Sequence, residues 1–271
     1  MNVKKFHQFV VLEKGPVNTA IINFLTGDLY QVENHLVEKL DDGRYDEIPH
    51  FLDFLEKEEL IFEVEQDDWI PTIHFDEPKE DVDFQLEIEE GVDLELLYEQ
   101  FNGFKVSSVI YSGKSLPDVL PDFPGYVRQD GDFAYCRQLT SIDGHFKKIT
   151  EVFYTFNKYF NSCWGRKIAV TRDGKIRPCI FSRIIIGDLS NDNIGDIVEK
   201  AKEYRTITKD KVERCKDCEL RYACFDCRVL ASESNGNLFA VNPLCKYDPY
   251  KGTWEKDNNG AKEKNLENTI F

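Results

Sequence analysis

The stretch Glu213–Cys227, ERCKDCELRYACFDC, places four of the chain's eight cysteines in the order C-x2-C-x5-C-x2-C. Two thiol pairs, each enclosing two residues, let a short loop turn four sulfurs toward one centre, which is how metal-thiolate sites are built. Nearby Lys211, Arg214, Lys216 and Arg221 are expected to favour the thiolate form that a metal needs. A single zinc ribbon fits poorly, because its pairs are separated by roughly 12 to 20 residues and these are separated by five. A compact four-thiolate zinc knuckle is an alternative, but it gives Cys163, Cys179 and Cys245 nothing to do.

Disulfides explain the thiols less well. A chain of 271 residues with 41% hydrophobic content, 20 Phe and 12 Tyr can fill a core without cross-links. At the N-terminus, MNVKKFHQFVVLEKGPVN, the apolar run stops at Glu13 with no small-residue cleavage site after it, and no stretch approaches 18 uncharged apolar residues. The expectation is a cytoplasmic protein that does not enter a membrane and keeps its cysteines reduced. The net charge of -16 argues against a nucleic-acid partner. The acidic excess lies in residues 1–162, whereas 163–250 is slightly cationic.

Working outward, residues 1–68 read as a small β-rich start, a Gly27-Asp28 turn, two helices and a closing strand, IFEVE. In the second helix Ile48, Phe51, Leu52, Leu55 and Leu60 follow a 3.6-residue period. This predicts an α+β module of winged-helix type. Pro71 and Pro78 break the pattern near Gln66–Glu80. Over residues 80–160, FQLEIE, VDLELLYEQFN and KVSSVIY predict a βαβ unit, with DFAYCRQL and EVFYTFN as further strands. A full eight-stranded barrel needs upwards of about 200 residues, so this truncated α/β middle holds at most a fragment of one. In IAV-TRDGKI-RPC the Asp173-Gly174 pair marks a tight β-hairpin, IGDIVEKAKEY reads as a helix, and residues 251–271 read as a flexible tail.

All eight thiols, Cys136, Cys163, Cys179, Cys215, Cys218, Cys224, Cys227 and Cys245, are candidate metal ligands. The order of Cys163, Gly174, Cys179, the C-x2-C-x5-C group and a later lone Cys245 resembles the seven-cysteine SPASM domain over about residues 161–250. That resemblance implies two auxiliary 4Fe-4S clusters. It assigns Cys215, Cys218, Cys224 and Cys245 to one, and Cys163, Cys179 and Cys227 to the other. The sequence departs from the family at Cys224-Phe225-Asp226-Cys227, where x2 replaces x3. It also has no cysteine within residues 157–162 to complete the second set, so Cys136 is the remaining thiol; otherwise one iron stays open. SPASM domains usually follow a radical-SAM barrel with C-x3-C-x2-C, but the steps between cysteines here are 27, 16, 36, 3, 6, 3 and 18 residues. No such triplet exists, so the chain is not expected to cleave S-adenosylmethionine by itself.

The order of elements in residues 1–68 is similar to the PqqD-like element that binds leader peptides as an added strand. Together the three parts resemble the SPASM-domain peptide maturases of grasp-with-spasm systems. The resemblance implies a precursor peptide and an ATP-grasp ligase as partners. The chain would then be a redox or substrate-positioning component of maturation of a ribosomally made peptide, or a non-catalytic adaptor with structural metal sites, iron-sulfur or zinc. His7, His35, His50, His74 and His145 stand beside no nucleophile. The run DEPKEDVDFQLEIEEGVDLE reads as a solvated linker and strand edge, and no phosphate-binding glycine motif is present.

Overall fold

The alternation in the first residues becomes strands β1 (Asn2–Phe6), β2 (Val10–Lys14), β3 (Asn18–Asn23) and β4 (Asp28–Glu33), helices α1 (Asn34–Asp41) and α2 (Pro49–Lys57), and strand β5 (Ile61–Glu65). The structure, a computed structural model, describes residues 2–66, 70, 71, 73–77, 83–115, 117, 126–129 and 148–255. Strands β2, β3 and β4 form an antiparallel meander, while β1 pairs antiparallel with β5, Asn2 opposite Glu65 and Phe6 opposite Ile61. Pro49, whose fixed φ suits a first helical turn, opens α2. The helix buries Phe51, Phe54 and Leu55 against Ile21, Tyr30 and Leu40.

The middle contains the expected βαβ unit: β6 (Phe84–Glu89), α3 (Leu94–Phe101) and β7 (Val106–Ser112), with β6 and β7 parallel. Asp93 caps α3 by accepting the Leu96 N–H at 3.1 Å. A third parallel strand, β8 (Tyr126–Gln129), lies beside β7. EVFYTFN, expected as a strand, is instead helix α4 (Glu151–Tyr159). Thr150 Oγ1 accepts the Phe153 N–H at 3.2 Å and starts the helix. Tertiary packing then overrides the strand-like alternation, as Tyr154 meets Phe24, Phe75 and Tyr222, and Asn157 Nδ2 donates to the Tyr222 carbonyl at 2.8 Å. The expected strand DFAYCRQL, with Cys136, falls outside the described residues.

The hairpin is continuous with this middle segment. Strand β9 (Lys167–Val170) pairs in parallel with β6, from Gln85 opposite Lys167 to Ile88 opposite Val170. It returns through Gly174, at φ +74°, as β10 (Lys175–Arg177), and β11 (Gly187–Asp188) follows. The result is one six-stranded sheet in the order β11-β10-β9-β6-β7-β8. Its core joins Leu86, Ile88, Ile168 and Val170 to Leu97 of α3 and to Ile194, Ile197 and Ala201 of α5 (Ile194–Arg205). Helix α6 (Arg228–Asn235) starts at Cys227 and ends at Gly236, φ +76°. Strands β12 (Tyr247–Asp248) and β13 (Thr253–Trp254) pair antiparallel, so regular structure extends into the start of the expected tail; residues 256–271 lie outside the described residues.

Candidate metal centre

Three of the thiols are drawn together by the sheet and the loop that precedes α6. Cys163 sits just before β9, Cys179 two residues after β10, and Cys227 at the first position before α6. Asn161 fastens them. Its Oδ1 accepts the N–H groups of Cys163 and Trp164 at 3.0 and 2.8 Å, while its Nδ2 donates to Asp226 Oδ2 at 2.9 Å. Cys163, Cys179 and Cys227 share one apolar cluster with Trp164, Ile207 and Val229, and Cys163 feels the charge of both other thiols.

The other four form a second group. Cys215 is electrostatically coupled to Cys224 and Cys245, Cys218 to Cys215 and Cys224, and Cys224 to Cys245. The loop turns through Cys218 N–H to Cys215 O (3.0 Å) and Cys224 N–H to Leu220 O (2.9 Å), with Arg214 in a positive-φ conformation at +62°. Arg214 Nη2 reaches the Cys245 carbonyl at 3.3 Å and holds the distant segment in place.

Among the described residues, no three His, Cys, Asp or Glu side chains converge tightly enough to hold a single metal ion. A mononuclear zinc site gathers four sulfurs at about 2.3 Å from one ion. A four-iron cluster spreads its cysteines over separate irons and spaces them more widely.

Burial, not neighbouring charge, governs the thiols. It pushes Cys179 up to about 12 and Cys215 up to about 11, puts Cys163 well above the ordinary thiol range, and raises Cys218, Cys224 and Cys227. A metal must therefore displace protons as it binds. The cations expected to favour thiolate do not all play that part. Arg221 is committed to Glu13 at 2.6 Å and stacks on Tyr222. The cation that does touch a sulfur is Lys209, which sequence reading missed: its Nζ lies 3.0 Å from Cys224 Sγ and 3.2 Å from the Phe225 carbonyl. Burial opposes its charge, but Cys224, Asp226 and Cys215 outweigh that and hold its ammonium above the usual lysine range. Beside the three-cysteine group, a buried pair, Glu87 and Lys167 at 2.9 Å, links β6 to β9, and Glu87 also accepts the Ile180 N–H at 2.8 Å.

The surroundings suit a sulfur-rich inorganic group. Trp164 donates to Cys179, and buried donors without a hydrogen-bond partner include Arg228 Nε, next to Cys227, and Asn242 Nδ2, three residues before Cys245. Buried N–H groups are rarely left unmade, and thiolates or inorganic sulfides would accept them.

Residues 163–219 match the SPASM family, an iron-sulfur cluster-binding domain. Cys224, Cys227 and Cys245 lie beyond the matched span. The chain is also similar to AdoMet-dependent heme synthases: 27% identical over 86 residues to that of Nitratidesulfovibrio vulgaris (31% of this chain, 23% of the relative), 26% over 84 residues to that of Oleidesulfovibrio alaskensis (30% and 22%), and 29% over 85 residues to that of Methanosarcina barkeri (30% and 24%). The chain spans about a quarter of the length of these relatives. Among the described residues no helix is long and apolar enough to cross a membrane.

Proposed function

We propose that this chain is an iron-sulfur component of ribosomal-peptide maturation that binds a precursor peptide beside an ATP-grasp ligase. Its thiols would hold two 4Fe-4S clusters. The observation that carries the reading is the partition of seven cysteines into two groups, Cys163, Cys179 and Cys227 against Cys215, Cys218, Cys224 and Cys245. It supports the ligand sets implied by the SPASM resemblance. When bound, such clusters supply one-electron transfer or, at an iron lacking a cysteine, a point of attachment for substrate. The residues of the chain shape both places: Asn161 orients Cys163, apolar Trp164, Ile207 and Val229 exclude water from the three-cysteine group, and Lys209 balances charge at the four-cysteine group.

The front module supports the peptide half of the reading. Its β2-β3-β4 meander has two outer strands, and an outer strand is the surface on which an extended peptide adds by backbone hydrogen bonds. The module would act as the PqqD-like element, with its winged-helix character carried by α1 and α2.

Anaerobic purification with iron, sulfide and zinc analysis tests the centres: about eight irons per chain are expected, and a colourless protein with about two zinc ions overturns the assignment. Cys163→Ser separates redox work from scaffolding. Maturation that survives loss of that cluster in a folded chain leaves the adaptor reading standing. Affinity measurements between the full chain and its precursor test the module, and no binding removes the peptide assignment.

A further inference from the structure

We propose that the Lys209 ammonium, hydrogen-bonded to the Cys224 sulfur, sets the reduction potential of the four-cysteine centre. This rests on the iron-sulfur reading above but goes beyond it, since nothing in that reading requires a buried cation at this place. Lys209 is 6% exposed, follows Thr208 in the turn after α5, and sends its whole side chain inward to Cys224 Sγ at 3.0 Å. It also donates to the Phe225 carbonyl at 3.2 Å. The buried acid Asp226 takes its hydrogen bonds from other groups: Arg228 Nη2 and Asn161 Nδ2 donate to its two oxygens. Lys209 feels the charge of Asp226 as well, but its hydrogen bond goes to the sulfur.

The opposite arrangement holds at the three-cysteine group. There the buried cation, Lys167, lies 2.9 Å from the Glu87 carboxylate, whose charge opposes that of Lys167 at Cys163 and Cys179. One-electron reduction adds one negative charge to a cluster, and hydrogen bonds and net charge at its sulfurs are what tune its potential. A cation bonded to a ligand sulfur in a low-dielectric interior stabilises the reduced form more than the oxidised form and raises the potential. The two centres are thus tuned apart by two lysines, one hydrogen-bonded to a ligand sulfur and one paired with a carboxylate.

The test compares full-length wild type with Lys209→Met, Lys209→Gln and Lys209→Arg, each purified anaerobically and titrated with dithionite. Iron content, visible absorption and electron paramagnetic resonance are followed together. The expected result is that both neutral variants keep their iron, that one centre shifts to lower potential while the other does not move, and that Lys209→Arg recovers the wild-type value. A merely structural lysine would not move one potential alone. Unchanged potentials in an iron-replete neutral variant overturn the proposal. So does loss of the four-cysteine centre from both neutral variants with retention in Lys209→Arg, which would make the lysine an assembly residue. A wild-type chain that holds no iron instead removes the iron-sulfur reading itself.

Discussion

At the scale of single residues, the thiols were legible and their surroundings were not. Cysteine spacing is local, so C-x2-C-x5-C-x2-C is visible within one loop. Lys209 and Lys167 look like any other lysines in the sequence, because only tertiary packing decides which amine is buried and what it touches. Glu87 shows what such burial implies. It is fully buried, paired with Lys167 and bonded to the Ile180 N–H just after Cys179. Removing one partner of a buried ion pair leaves an uncompensated charge and costs about 3–5 kcal/mol, whereas replacing both by apolar groups is often neutral. Glu87→Gln is expected to destabilise the chain by roughly 3 kcal/mol in urea unfolding, and Glu87→Leu combined with Lys167→Met is expected to recover most of that. A single substitution within about 0.5 kcal/mol of wild type would show that water reaches the pair.

At the scale of elements, periodicity read correctly wherever local chemistry and packing agree. The Asp173-Gly174 turn is one case: Gly174 takes φ +74° and an added Cβ would find nothing nearer than Leu189 Cβ at 4.0 Å. Gly174→Ala is therefore expected to cost about 1–2 kcal/mol from backbone strain alone, with Gly174→Asn milder; equal unfolding midpoints for all three would mean that the turn relaxes. Segment 151–157 is the contrary case. Its β-branched and aromatic residues alternate like a strand, but α4 is selected by the Thr150 cap and by the aromatic contacts of Tyr154, which come from remote segments. The pairing of β10 with β11 offers a pH test. The Lys175 ammonium, 2.6 Å from Asp188, holds that carboxyl below its usual value. A depressed carboxylate contributes stability above its unfolded pKa and loses it as pH falls through the lower folded value. Asp188→Asn is accordingly expected to speed amide exchange in this hairpin at pH 7 and to match wild type at about pH 2, whereas an equal difference at both would assign the effect to the backbone bonds from Ser190 instead.

At the scale of the whole molecule, the reading as successive segments gave no sign of how firmly the front module is joined to the cysteine loop. Glu13, at 9% exposure on β2, accepts from Tyr154 of α4 and from Arg221 of the loop, 208 residues away in the chain. Gln31 of β4 donates to the fully buried Glu219, which also takes the Tyr247 hydroxyl, and Gly15 leaves room for the Glu219 carboxylate. Cys218 and Cys245 pack in the same apolar cluster as Ala20 and Ile22 of β3. These contacts make the module one wall of the four-cysteine group, so order in one part should depend on the other. Arg221→Met keeps the length of the side chain but leaves Glu13 buried without its cation, at an expected cost of about 3 kcal/mol. Hydrogen exchange should then accelerate together in β2, β3 and residues 213–227 while the β6-β7-β9 core stays protected. Acceleration confined to the loop would mean that the module stands independently, and that peptide bound on its outer strands has no physical route to the thiols.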